Sequence, residues 1–447
     1  MPADNLVHDL TSALEAIPLI DPHSHIDPHS PVSKSLDDIL GYHYYTELAH
    51  SAGMPKTALG SDIPARERVR EILKFFSRYD NTAQAAWFVE IARSFLGFGG
   101  DRISVADTDV LFDTAGRTFA QPDWELHVFA KTNLEKIFLT NEFDDPLDGF
   151  DTSKYVPCLR TDALVFQLDK PDTRERLAKA TGSEIGDSAS LRKAIWKLFA
   201  HFKARGAKAC AISLPPDFAP AKISDSEFDR AIQAVVKDSN LAKAVFGGVQ
   251  FARSMLGTST NADTSPQVAV ALGTFWLLAE HCREFELPFD LMIGVNRKVY
   301  ENGVFQGQDL YDRRTSLIQY RDLFNAFPEV TFPISVLTSG QNQELVSYSW
   351  IFPNVVTNGH WWYSNIPTYI ARDTTERLQA MPKTKQIGYY SDAYKLEFVK
   401  PKYGMYRRIL AGVLADEFVR SGRMNEIEAV ALGTRLLRDN VREIFKV

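Results

Sequence analysis

The stretch Ile17-Pro18-Leu19-Ile20-Asp21-Pro22-His23-Ser24-His25 decides the reading of the fold. It is a short apolar run that opens onto two histidines two residues apart. On an extended chain such residues point to the same side. Both imidazoles then converge, as two ligands of one divalent ion need. An isolated His-x-His is also met as a pair of core or solvent-facing histidines, and motifs this short have many false positives. Its place directly after a first strand, with Asp21 beside it, favours a metal or a substrate.

Working outward from that strand, seven more short apolar runs follow. They are residues 136–141, 155–160, 207–213, 289–294, 330–335, 354–358 and 386–392. Helix-length amphipathic stretches separate most of them. Asp187 to Arg205 places Leu191, Ile195, Leu198, Phe199 and Phe202 on one face, and Thr264 to Phe285 is rich in Ala and Leu. Strand–helix alternation implies a parallel sheet. Eight repeats imply a closed (β/α)8 barrel of the TIM type, which accommodates a chain of this length when it carries insertions. The alternation breaks between strands 1 and 2. There, 35–134 reads as a helical insertion, with Ser35 as N-cap and Asp37 and Asp38 in the first turn. The expectation is one barrel over 1–447, its insertion projecting from the face where barrel chemistry sits. Two helices, over 402–421 and 425–445, close the fold.

Composition excludes several classes. The 447 residues carry 50 Lys and Arg against 57 Asp and Glu, a net charge of −7, with 45% hydrophobic and 24% charged residues. Such values belong to an ordinary globular protein. No apolar run reaches about 18 residues, so no membrane span is expected. Mild acidity without basic clusters argues against nucleic acid as a partner. The start, with Asp4, His8, Asp9 and Glu15, does not read as a secretory leader. Cys158, Cys210 and Cys282 are widely spaced and make no disulfide framework, so a cytoplasmic location is expected. A homo-oligomer is compatible with all of this.

The remaining candidates for chemistry lie near strand ends. Asp392 ends the eighth strand, which in a closed barrel lies beside the first. It can ligate the same ion, act as general base, or simply cap a helix. His43 and Tyr44, in Gly41-Tyr42-His43-Tyr44-Tyr45, can relay protons or pack as aromatics. Arg160 and Arg297 follow apolar strands, and a guanidinium fork matches a carboxylate. His360 and Trp361 follow strand 7, as a further ligand and as a face for a sugar or a rim residue.

Taken in order, these segments resemble the uronate (glucuronate) isomerases of the amidohydrolase superfamily. Asp21-Pro22-His23-Ser24-His25 is similar to their strand-1 motif, and Gly41-Tyr42-His43-Tyr44 to the D-H-Y segment that opens their insertion. Thr140 to Pro146, Leu159-Arg160-Thr161-Asp162, Trp361-Trp362-Tyr363, Ser391-Asp392 and Tyr406-Arg407-Arg408-Ile409-Leu410 resemble further family segments. The departures are specific. Met292 stands where a strand-5 ligand is usual, Tyr394 where an Arg follows the strand-8 Asp, and Tyr45-Thr46-Glu47 where Lys-Trp-Arg follows the His-Tyr pair. Leu214-Pro215 stands in place of Asp-His after strand 4.

The resemblance implies an aldose–ketose isomerase acting on a hexuronate through an enediol. It implies His23, His25 and Asp392 around a divalent metal, zinc given the nitrogen ligands. Tyr44, His43 and Asp392 are then the candidates for proton transfer. Arg160 and Arg297 are candidates for the substrate carboxylate, with His360 and Trp361 beside the sugar. Two other readings compete: metal-dependent hydrolysis through an activated water, and a barrel that has lost its chemistry.

Overall fold

Apolar residues on alternate positions of the strands enter different buried clusters, and this sets the layering. The computed structural model describes residues 5–237 and 265–447. Its strands are β1 (Leu19–Asp21), β2 (Leu134–Phe138), β3 (Tyr155–Val156), β4 (Cys158–Arg160), β5 (Ala209–Leu214), β6 (Phe289–Ile293), β7 (Val295–Asn296), β8 (Leu310–Tyr311), β9 (Phe332–Val336), β10 (Val355–Asn358) and β11 (Gln386–Ile387). β1, β2 and β3 form one parallel sheet, and β4, β5, β6, β9, β10 and β11 a second. Pro157, which has no N–H to give a ladder, separates β3 from β4. Asn141 bridges the junction, its N–H donating to Cys158 O at 2.9 Å. With β3 and β4 taken as one, eight parallel strands lie side by side in chain order. Each falls on a run expected from the sequence.

The two strand faces do different work. Ile20, Phe138, Val156, Cys158, Ala209, Ala211, Val356 and Ile387 form one buried cluster, plugged by Val441 and Phe445 of the helix Asn440–Phe445. The alternate residues Leu159, Cys210, Ile212, Leu291, Ile293, Ile334 and Val355 pack outward against helices such as Ser188–Ala204 and Pro266–Glu284. The latter is what the described residues show of the helix expected over 264–285.

Six α-helices fill the interval between β1 and β2, from Leu36–Leu40 to Trp124–Thr132. Ser35 stands at the first N-cap in extended conformation, and Asp38 Oδ2 accepts from its N–H at 3.0 Å. The helix Ala83–Leu96 buries Trp87, Phe88, Ile91, Phe95 and Leu96, and Gly97 ends it at φ +67°. Burying each such side chain stabilises by about 1.5–3 kcal/mol, so these helices dock firmly. Their core continues into Val399–Leu414, the first of the expected closing helices.

One expectation needs correction. The eighth strand, expected over 386–392, ladders only over Gln386–Ile387. Gly388 N–H turns instead to Leu436 O at 3.0 Å, and Ser391 N–H to the Asp21 carboxylate at 2.9 Å. Arg297 directly follows β6 and β7, as expected. It sits in the connection of an antiparallel β7–β8 hairpin. Among the described residues no helix is long and apolar enough to cross a membrane.

Candidate active site

The two histidines lie beyond β1 rather than on it, so the period-two argument does not place them. Two backbone hydrogen bonds do. Asp392 N–H donates to His23 O at 3.2 Å and His25 N–H to Ala393 O at 2.8 Å. These stitch the segment after β1 to the segment after β11. Asp392 adopts φ +51°, a left-handed conformation uncommon outside glycine though more accessible to Asp, and typical of functional sites. The turn directs its carboxylate at the imidazoles. His23 Nε2 and His25 Nε2 lie 3.6 and 3.4 Å from Asp392 Oδ1, and all three donor atoms lie within 4.8 Å of one another.

The donor set fits a divalent cation. His23 Nε2 and Asp392 Oδ1 are buried and have no hydrogen-bond partner, which is costly unless a further group satisfies both. Burial pushes His23 down to about 3, so its ring is neutral and able to ligate. Burial alone would raise Asp392, but His25 beside its Oδ1 and the nearby His23 and Lys402 hold it below the usual carboxylate range. Thr140 Oγ1 donates to Ser24 O at 2.9 Å and lies 2.9 Å from His25 Nδ1. With its proton spent on the carbonyl, that hydroxyl accepts from Nδ1–H and leaves His25 Nε2 a lone pair. Two nitrogens and one carboxylate are the ligand number of catalytic sites that keep a position open.

Asp392 is gripped from its other side. Tyr44 Oη donates to Asp392 Oδ2 at 3.2 Å, and Tyr42 Oη donates to the Asp392 carbonyl at 2.9 Å. Lys402 is fully buried and donates to Ser391 O at 2.7 Å and to Tyr42 Oη at 3.3 Å. Its ammonium lies 4.8–5.2 Å from the ring centres of Trp87, Tyr44 and Tyr42, a cation–π enclosure. Burial lowers Lys402 to about 8.

His43 packs against Tyr44 at 4.2 Å and Trp362 at 5.4 Å between ring centres. Both of its nitrogens are buried without a partner, and burial pushes it down to about 3. It stands as a neutral ring beside Tyr44. It also lines a cavity of about 560 Å³ bounded by the first insertion helices and the loop after β7.

Other expected residues are placed unevenly. Arg160, in ion pairs with Asp162 at 3.3 Å and Glu142 at 3.5 Å, acts on the electrostatics of His23. Arg297, paired with Asp309 at 2.7 Å, and Arg160 both act on Tyr394. The Tyr394 ring stacks on His25 at 4.9 Å. His360 is not brought to the cluster. It is buried beneath the helix Pro367–Ala380, 3.4 Å from Thr374 Oγ1 and beside Tyr389 and Tyr406. Trp361 is buried with Met292, Val295, Leu337 and Tyr390, and its neighbour Trp362, turned by φ +40°, faces His43 and Tyr44 instead.

Sequence reasoning missed four members. Lys402 was signalled by a charge on the apolar face that Val399, Tyr403 and Tyr406 define. Thr140 opens the Thr140 to Pro146 segment, but nothing in the sequence points its hydroxyl at His25. Asp290 lies two residues before Met292 on the same inward face of β6. It is 4.0 Å from His23 Nδ1, is hydrogen-bonded by Asn358 at 3.1 Å, and is raised by burial to about 7. Tyr394 had been noted only as a departure.

No protein-family model matches the chain. The chain is 22% identical to a uronate isomerase of Nostoc punctiforme over 99% of its own length and 95% of that protein's. It is 23% identical to a uronate isomerase of Corynebacterium efficiens, covering 100% and 97% of the two. The crystal structure of glucuronate isomerase from Caulobacter crescentus superimposes with a TM-score of 0.85 at 19% identity, over 100% of this chain and 95% of that one. The likeness read from the motifs and the likeness found by comparison are to the same enzymes.

Proposed function

We propose that the protein is an aldose–ketose isomerase acting on a hexuronate such as glucuronate or galacturonate. The observation that carries the reading is the His23–His25–Asp392 cluster with the Tyr44 hydroxyl on the second oxygen of Asp392. The end-to-end likeness to uronate isomerases supports it. In this reading the eight strands close into one (β/α)8 barrel, with 35–134 as its insertion, and the protein works in the cytoplasm.

His23, His25 and Asp392 would hold the metal, zinc by the preference of a nitrogen-rich set. A divalent ion held there would supply Lewis acidity at the carbonyl end of the substrate. Isomerisation needs a proton taken from C2 of the open-chain aldose, a cis-enediol, and a proton returned at C1. Tyr44 and His43 stand together at the carbonyl end, where Tyr44 Oη can give and recover a proton. Neutral His43, with two free nitrogens, relays it to the cavity. Arg160 and Arg297 flank Tyr394 and retain unused N–H donors for the C6 carboxylate. The Asp392→Asn variant separates that residue's two roles: metal lost together with activity marks a ligand, metal kept with activity lost marks the base.

Ketose formation from glucuronate and galacturonate, followed by 13C NMR alongside elemental analysis, tests the proposal. The native protein is expected to hold metal and form ketose, and a His23→Ala/His25→Ala variant to do neither. Absence of ketose with a metal-loaded native protein overturns the reading for those substrates.

A further inference from the structure

The cavity beside His43 extends well past the reacting centre. Its inner wall is His43 and Tyr394, and its outer wall carries Lys56, Phe305 and Gln306. At about 560 Å³ it belongs to the size range, about 300–1,000 Å³, of pockets that enclose whole organic ligands. That is more room than the tail of a six-carbon acid fills. Its two sides are fixed together. His50 of the helix His43–Ser51 stacks on Tyr300 of the loop at 6.0 Å and 24° between ring planes. A Cβ on Gly307 would meet Glu47 Cγ at 2.6 Å, so the loop backbone lies directly on that helix.

Three features of the walls point to a ligand. Both His43 nitrogens are buried and unpartnered. Phe305 leaves 88% of its surface bare at the rim, and a large exposed apolar side chain at a cavity edge is an unused contact face. The charges of the wall are mostly engaged: Arg68 binds Asp37, Asp38 accepts from Lys34 N–H, and Lys395 donates to Ser30 O. Lys56 forms no ion pair among the described residues, which leaves one cation facing the opening.

We infer that this cavity is a second sugar subsite and that the substrate is an acidic disaccharide whose reducing-end uronate reacts. The inference rests on the isomerase reading. C1 and C2 are the reacting carbons, C6 is the carboxylate, and O5 is released when the ring opens. That leaves O3 and O4, and O4, one carbon farther from the reacting pair, is the oxygen that carries the second sugar. Its apolar face lies on Phe305 and its carboxylate meets Lys56. The chemistry balances within the reducing-end unit, because one C2–H and one O2–H bond break, one C1–H and one O1–H bond form, and the glycosidic bond is untouched. No co-reactant is required.

The test compares 4-O-linked digalacturonate with galacturonate on the native protein and on Phe305→Ala, with ketose read by NMR. The exposure of Phe305 makes its removal harmless to the fold. The native protein is expected to show at least tenfold higher kcat/KM on the disaccharide. Phe305→Ala should erase most of that advantage and leave turnover of galacturonate unchanged. Equal or faster turnover of galacturonate by the native protein overturns the subsite, as does a variant that slows both substrates alike. Conversion of neither overturns the isomerase reading and the subsite with it.

Discussion

Two adjacent tyrosines should respond in opposite ways when each loses its hydroxyl. Tyr44 Oη donates to Asp392 Oδ2 at 3.2 Å, whereas Tyr45 Oη is buried with no partner. A hydrogen bond to a charged group is worth about 1.5–3 kcal/mol, and each 1.4 kcal/mol is about tenfold in rate. Tyr44→Phe is therefore expected to lower kcat by roughly tenfold to a hundredfold. Its ring keeps the contacts to His43, Tyr42 and Trp87 at 4.2, 4.9 and 6.3 Å, so the fold should be kept, with a lowered thermal midpoint. Tyr45→Phe removes an unsatisfied buried group whose desolvation costs about 1–3 kcal/mol. It should leave kcat intact and raise the thermal midpoint by a few degrees. The assay is steady-state ketose formation with calorimetry on the same preparations. Unchanged kcat in Tyr44→Phe, or an equal loss in both variants, refutes the assignment of Tyr44.

Other perturbations follow from the same geometry. Lys402→Met removes the donor that fixes Ser391 O, so kcat should fall at least tenfold while bound metal is retained; native kcat would show that the clamp is not needed. Burial raises Glu47 from 4.5 to about 8, so the folded chain holds a proton that the unfolded chain releases. That contribution is whole below pH 4.5 and is lost as pH rises toward 8. Glu47→Gln should remove this part of the pH dependence of the thermal midpoint, and parallel curves for both proteins would contradict it. In the helix Pro266–Glu284, Gly273→Ala gains about 1 kcal/mol of helix propensity. Its Cβ would stand 2.2 Å from Phe228 Cδ2, and overpacking costs about 1–3 kcal/mol. With three ring atoms within 2.7 Å the clash dominates, so the urea midpoint should drop, and an unchanged or higher midpoint would show that the ring yields.

The strands were legible because fully buried strands are apolar on both faces, and their order follows from alternation alone. Pro157 and Gly388 show the limit: where the ladder stops depends on which distant acceptor a backbone N–H finds. The candidate cluster of His23, His25 and Asp392 was legible, yet the reason for their convergence was not. It lies in two backbone bonds and in the left-handed turn at Asp392, which no residue pattern announces. Side-chain direction was the weakest link. His360 and Trp361 look alike in sequence to Trp362, and only the turn at Gly359 and Trp362 decides which ring faces Tyr44. Lys402 comes from the other end of the chain, and its place beside Tyr42 depends on a contact across 360 residues of separation.

Proton transfer at C2 of a hexuronate is the central claim, and turnover in deuterated water measures it most directly. Ketose carrying one solvent deuteron at C1 is expected, with label appearing at C2 of the recovered aldose. A metal-loaded protein that yields neither ketose nor label from glucuronate and galacturonate would contradict it.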